Sequence, residues 1–196
     1  LERLRSENPR DKVSYLVWKQ GLTGCTCKDL TASSQLGIEE VQSICRDLVE
    51  KGELVEYDPE QKASVSTAAL HGLSSQILEL VRDYHRESPY QSGMPKEALR
   101  SRLSELIPEK LVGFALAWLA EKGEISVEKD RVRGVDHRVQ LTDRDEQMRA
   151  EILRALVESG TMPPTVKELE ARTGCGETRL RTLLEYLAEK KEVIKV

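Results

Sequence analysis

The 196-residue chain has 33% charged and 39% hydrophobic residues and a formal net charge of −4, a composition typical of soluble globular proteins. Its longest apolar run, LVGFALAWLA at 111–120, is about half of a membrane-spanning helix, so we predict no membrane partner. The opening residues LERLRSENPRDK lack the apolar core of a secretory signal, and we therefore expect a cytoplasmic protein.

A ten-residue segment occurs three times in nearly the same form. The copies are LVEKGELVEY at 48–57, LAEKGEISVE at 119–128 and LAEKKEVIKV at 187–196. Repetition at a nearly fixed spacing, here about 70 residues, indicates a structural unit that is used repeatedly. We therefore predict three domains, which span residues 1–71, 72–141 and 142–196.

The first unit contains three runs with helical periodicity, KVSYLVWKQ (12–20), KDLTASSQL (28–36) and IEEVQSICRDLVEK (38–51). The apolar stripe of the third run consists of Val41, Ile44, Cys45, Leu48 and Val49. Gly52 is a predicted helix stop, and the segments ELVEY and ASVST, which flank the turn DPEQK, are strand-like. Three helices followed by a hairpin is the plan of a winged helix.

The other units repeat this order. The second has predicted helices at 74–87, 94–104 and 109–122, with Pro95 and Pro108 at two helix starts, and a hairpin at 124–141 that is broken at Gly134. The third has helices at 143–160, 165–174 and 176–191, with Thr142 and Asp143 as the first cap. There Lys191 replaces the glycine, and the predicted wing strand EVIKV has no successor. We therefore predict a mainly α fold with small β-hairpins, made of tandem winged-helix domains of which the third has a truncated wing, and we expect a piece of a longer protein.

Catalytic and cofactor motifs are missing from the sequence. It contains no P-loop, nucleophile elbow or dinucleotide-binding glycine pattern. Its four cysteines are Cys25, Cys27, Cys45 and Cys175, and the single C-x-C lacks the second ligand pair of a zinc site, so free thiols are favoured. We predict that the chain is not an enzyme and has no catalytic, cofactor-binding or metal-binding residues.

The charge pattern bears on nucleic-acid binding, because winged helices commonly place a basic third helix in the major groove of DNA. The three predicted domains have net charges of −3, 0 and −1, which are not strongly basic. The third helix of the first unit is expected to expose Glu39, Glu40, Asp47 and Glu50. That of the second unit is mostly apolar, with Phe114 and Trp118 expected in a core or an interdomain seam. Both helices are therefore predicted to be packing surfaces.

Two local basic clusters are candidate RNA or ribosome contacts. The first lies on or beside the second hairpin and consists of Lys129, Arg131, Arg133 and Arg138. Strand alternation through a straight hairpin predicts Lys129, Arg131 and Arg133 on one face together with Val127, and Val132 on the other. The alternative is a solvated hairpin whose charge Glu128, Asp130 and Asp136 neutralise.

The second cluster consists of Arg179 and Arg181, near the start of the last predicted helix. These two side chains would face a nucleic-acid groove if that helix bound RNA. The alternative is pairing with Glu177 and Glu185 on the same helix.

The segment DYHRESPYQSGMPKEALRSRL (83–103) resembles the sequence HRENP…GMPKEELR in the C-terminal part of bacterial selenocysteine-specific elongation factors, the SelB family. In that family, an N-terminal GTPase that uses GTP and Mg²⁺ carries selenocysteyl-tRNA, and four winged helices reach a messenger RNA hairpin. The GTPase motifs and the last winged helix have no counterpart in this sequence.

The resemblance thus implies a spacer that reaches the messenger RNA hairpin and the ribosome through the parent protein. The charge count predicts that the chain itself binds RNA weakly, and we expect a monomer. The alternative is a tandem winged-helix transcription regulator that binds DNA, or a chromosome-associated adaptor.

Overall fold

The computed structural model describes residues 8–137, 141–160 and 162–194. The elements within these ranges are α1 (Pro9–Gln20), β1 (Cys25–Thr26), α2 (Cys27–Ser34), α3 (Ile38–Glu50), β2 (Leu54–Asp58), β3 (Ala63–Ser66), α4 (Thr67–Glu87), β4 (Met94–Pro95), α5 (Lys96–Arg102), α6 (Glu109–Glu121), β5 (Ile125–Glu128), β6 (Arg131–Gly134), α7 (Asp143–Ser159), α8 (Val166–Thr173) and α9 (Glu177–Glu189). A short 3-10 turn at Gly21–Thr23 follows α1. The predicted fold, mainly α with small hairpins in tandem winged helices, is confirmed.

The first winged helix consists of α1–α3 and a three-stranded antiparallel sheet in the order β1–β3–β2. Its core contains Val13, Val17, Leu30, Val41 and Leu48, which share the space between the three helices. The hairpin pairs Leu54 with Ser66 and Val55 with Val65, and its register shifts between Glu56 and Asp58. One residue of the predicted apolar stripe is not in the core: Val49 is 38% exposed, because it lies at the edge of the buried face.

The second winged helix consists of α4–α6 and a sheet in the order β4–β6–β5. Two short strands, β1 and β4, were not predicted from the sequence. Each has two residues and directly precedes the second helix of its winged helix, so neither is long enough to show a period of two. Helix α4 has 21 residues and starts directly after β3, so no separate linker joins the first two winged helices.

The repeated segment forms the same helix end three times. Gly52, Gly123 and Lys191 all have left-handed backbones, with φ of 70°, 70° and 60°. At each end, the amide two residues after the C-cap donates to the carbonyl of the leucine five residues before it, at 2.9, 3.0 and 2.9 Å. This is the Schellman pattern. The third copy was predicted to continue into a strand at 192–196, but residues 192–194 are not in a strand, and residues 195–196 lie outside the described residues.

The chain divides into two compact units, one made of residues up to Arg82 with Pro95–Val135, the other of Asp83–Met94 with Asp136–Val196. The predicted boundary between residues 71 and 72 falls inside α4. The boundary before residue 142 coincides with the N-cap of α7, where the Thr142 hydroxyl accepts from the amide of Asp145 and Asp145 bonds back to Thr142. The division into three folding domains remains a prediction. No described helix is long and apolar enough to cross a membrane.

Candidate nucleic-acid interface

The second hairpin is a tight antiparallel pair. It pairs Ile125 with Gly134, Val127 with Val132 and Glu128 with Arg131, and strand β6 ends at Gly134 as predicted. Lys129 and Asp130 therefore form a two-residue turn, in which Lys129 has a φ of 52° and is exposed. Lys129 thus occupies the tip of the hairpin and not a strand position.

The register corrects the predicted arrangement of side chains. Residues directly opposite each other in an antiparallel pair project to the same face. Arg131 and Arg133 therefore share a face with Glu128, whereas Val127 lies on the other face together with Val132. The prediction placed Val127 with the arginines because it counted alternation straight through the turn, and a two-residue turn reverses that count.

Glu128 partly neutralises the positive charge of the second hairpin. The guanidinium of Arg133 forms an ion pair with Glu128, with 2.7 Å between Nη2 and Oε1. Both side chains are reachable by solvent, at 35% and 67% exposure, so the pair contributes little to stability and can open for a competing anion. Arg138, the fourth predicted member of this cluster, lies outside the described residues.

Arg179 is bound to another part of the protein. Its Nε and Nη2 donate to Oδ1 of Asp145 at 3.0 and 2.6 Å. Asp145 is fully buried at the start of α7, whereas Arg179 lies in α9. The pair therefore joins the first and last helices of the third winged helix, and Arg179 would have to leave Asp145 to bind a phosphate.

The charge on Asp145 is stabilised within this cluster. Burial alone would raise the pKa of the carboxyl group, but hydrogen bonds from Thr142, Tyr90 and Arg179 outweigh it and lower the pKa to about 2. Sequence reasoning identified Thr142 as a cap and missed the pairing of Asp145 with Arg179. The two residues are 34 positions apart, and no local pattern connects them.

Arg181 pairs with Glu177 on the same helix, as the alternative to RNA binding predicted. Its Nε and Nη2 donate to Oε1 of Glu177 at 2.8 and 2.6 Å, one turn earlier in α9. Both side chains are more than half exposed. Arg181 thus remains accessible at the surface, but its charge is locally balanced.

The third helices of the first two winged helices carry little positive charge. In α3, Glu39, Glu40 and Glu50 are exposed as expected. Asp47 is only partly exposed, because it is paired with Arg10 and Lys51. The hydrogen bond from Lys51 is the largest cause of a lowered pKa of Asp47.

In α6, Trp118 is half-buried and does not offer a free ring face. Its ring lies 5.3 Å from the ring of His71, and the ammonium of Lys122 lies 3.7 Å from its centroid. These contacts occupy the indole, which agrees with the expected packing role better than with stacking on a base.

The described residues contain no group of three or more His, Cys, Asp or Glu side chains that could hold a metal ion. The four cysteines are free and buried. Burial raises the pKa of Cys25 to about 12, so its thiol is protonated at neutral pH.

Comparison with known proteins supports the resemblance noted in the sequence. Residues 78–133 match the model described as elongation factor SelB, winged helix. This range contains the whole 83–103 segment on which the resemblance was based. The chain is also 27% identical over 176 residues, or 90% of its length, to a selenocysteine-specific elongation factor of Desulfomicrobium baculatum. Residues 78–133 are thus similar to the winged helix of elongation factor SelB.

The chain spans 28% of the length of that SelB relative. A solved structure, the mRNA-binding domain of elongation factor SelB from E. coli in complex with SECIS RNA, is 12% identical with a TM-score of 0.47. The match covers 67% of this chain and 100% of the chain in that structure. The SelB match does not favour the alternative of a transcription regulator or chromosome-associated adaptor.

Proposed function

We propose that the chain is part of the C-terminal arm of a selenocysteine-specific elongation factor, and that it spaces the GTPase and tRNA-carrying part from the tip that binds the messenger RNA hairpin. The similarity to the Desulfomicrobium factor over 90% of the chain carries this proposal. GTP and Mg²⁺ would then be bound by the remainder of the protein, and the arm itself would be non-catalytic and cytoplasmic.

A spacer must hold its length, and contacts between the first two winged helices support this role. The ammonium of Lys110, at the start of α6, lies 2.8 Å from Oδ2 of Asp58 and 3.1 Å from Oε2 of Glu60. Asp58 is buried at the end of β2, and the hydrogen bond from Lys110 lowers its pKa. Together with the direct passage from β3 into α4, this pair favours a fixed relation between the two winged helices within one compact unit.

The second hairpin is the proposed contact of the arm with ribosomal or messenger RNA, through Lys129, Arg131 and Arg133. The tip position of Lys129 and the shared face of the two arginines support it. A phosphate could replace Glu128 as the partner of Arg133, and each such contact should add about one unit to the salt slope of binding. Salt titration of the full-length factor on ribosomes, with Arg131→Ala and Arg133→Ala, tests this contact. An unchanged affinity and slope in both variants would exclude it.

The spacer role is tested with the full-length factor in a reporter that requires selenocysteine at a UGA codon. Lys110→Glu places a negative charge against Asp58 and Glu60 and should loosen the arm. We expect reduced selenocysteine incorporation, with unchanged GTP hydrolysis and unchanged affinity for the isolated messenger hairpin. Lys28→Glu, the same charge change at an exposed position in α2, is the control. Normal incorporation with Lys110→Glu would argue against a rigid spacer.

A further inference from the structure

Helix α6 exposes small apolar residues to solvent beside a groove. Val112 and Leu116 on this helix, with Leu99 on α5, are buried side chains that form the floor of a groove of about 810 Å³. Gly113 and Ala117 are exposed on the same face. Exposed apolar surface can mark a protein-binding site, so this face requires an explanation other than the internal core.

The winged-helix fold does not require an apolar face here. When the repeated segments are aligned, Leu119 corresponds to Leu48, and Gly113 and Ala117 correspond to Gln42 and Arg46 of α3. The equivalent groove of the first winged helix is lined by Gln42, Arg46 and other polar side chains. Leu48 and Leu119 are both buried, whereas the small residues at 113 and 117 occur in the second winged helix and not in the first.

The shape of the groove suits a helix. Small residues such as Gly113 and Ala117 let a second backbone approach closely, and the apolar floor beside them would face the apolar stripe of an amphipathic helix. At one end, Leu106 follows the lining residue Glu105 and is 75% exposed, which extends the apolar surface beyond the groove.

The rim of the groove is negatively charged. Glu97, Glu105 and Glu109 are exposed and line it, and within the described part of the chain they form no ion pair. Lys96 also lines the groove, so its acidic side chains outnumber its basic ones by three to two. The guanidinium of Arg100, a cation in the groove, donates to the backbone carbonyls of Ser104, Glu105 and Ile107. Such a rim repels a phosphate backbone and attracts lysine and arginine side chains.

We propose that this groove binds a basic amphipathic helix of a partner protein, whose apolar stripe covers α6 and whose cations face the three glutamates. The position that reads DNA in other winged helices would then be a protein-binding surface. The inference goes beyond the spacer role and depends on neither RNA nor the GTPase.

The test measures binding of a fluorescent 18-residue peptide of leucine, alanine and lysine, designed as an amphipathic helix, to the complete chain. A peptide of the same composition, with the leucines scattered around the helix, is the control probe. The decisive variant is Gly113→Gln with Ala117→Arg, which places in α6 the side chains that Gln42 and Arg46 have at the aligned positions of α3. We expect it to weaken binding at least about tenfold, because it fills the groove and adds a cation.

Ala32→Arg, at an exposed position of α2, controls for the added charge and should bind as the unaltered chain does. Glu105→Gln with Glu109→Gln should weaken binding and reduce its dependence on salt. A cooperative urea transition establishes that each variant is folded.

Equal binding of the two peptides, or equal binding by the Gly113/Ala117 variant, would overturn the proposal. It would also fail if the chain self-associates through this face, or if a single-stranded oligonucleotide binds and the Gly113/Ala117 variant abolishes that binding.

Discussion

At the scale of single residues, the three copies of the repeated segment allow a comparison within one chain. The helix end needs a left-handed residue, and the third copy places Lys191 where the other two have glycine. A residue with a side chain loses about 1–2 kcal/mol in the left-handed conformation, and replacing Lys191 by glycine removes that cost. Glycine also has more freedom in the unfolded chain, which offsets part of this gain in stability. We therefore expect Lys191→Gly to increase the free energy of unfolding by about 0.5–1 kcal/mol.

Urea denaturation measures this change as a higher midpoint at an unchanged slope. Gly123→Ala is the opposite substitution. No atom lies within 4 Å of the position of its added Cβ, so its effect comes from the backbone alone. It should destabilise by a similar amount. If both substitutions act in the same direction, the left-handed conformation is not the cause.

Asp145 provides a second prediction for a single residue, on the dependence of stability on pH. Its pKa falls from an ordinary 3.8 to about 2 on folding, so the unfolded state binds the proton more readily. The stabilisation is complete above about pH 4 and is lost as the pH falls through 2. Asp145→Asn should cost about 1.5–3 kcal/mol at neutral pH, because the charged hydrogen bonds to Arg179 are weakened.

The Asp145→Asn variant should also lose part of the decline in stability between pH 4 and pH 2. Urea titrations of both proteins at several pH values measure the two curves. Parallel curves would show that another carboxyl group is responsible for the acid sensitivity. Asp143→Asn, two residues earlier at an exposed position, is the matched control.

At the scale of elements, periodicity and helix-start residues predicted the described α-helices, although α4 begins at Thr67 and not at the predicted residue 74. It could not predict the face on which Val127 lies, since that depends on the two-residue turn at Lys129. It also could not show that Arg179 bonds to Asp145, because tertiary packing creates that contact. Local patterns thus predicted the framework, and the candidate site depended on long-range pairs.

Helix α5 carries the element-scale prediction. Leu99 is 1% exposed on its inner face, and we expect Leu99→Ala to lower the free energy of unfolding by about 2–5 kcal/mol through a cavity in the core. Leu106→Ala removes the same atoms from a side chain that is 75% exposed, and should change stability by less than about 0.5 kcal/mol. A loss below about 1 kcal/mol for Leu99→Ala would mean that this face of α5 is not a core face.

At the scale of the whole molecule, the sequence repeat suggests three domains and the contacts form two compact units. The two views differ in what should unfold together. If the compact units are the cooperative ones, the first two winged helices should unfold in one transition, because Lys110 and α4 hold them in the same unit.

Scanning calorimetry with Leu99→Ala and Asp145→Asn distinguishes the two views, because the substitutions lie in different units. We expect two transitions, with Leu99→Ala lowering the midpoint of one and Asp145→Asn that of the other. Val41→Ala, in the core of the first winged helix, should then lower the same transition as Leu99→Ala. If Val41→Ala instead shifts a third transition that Leu99→Ala leaves in place, each winged helix unfolds alone and the arm is a chain of independent domains.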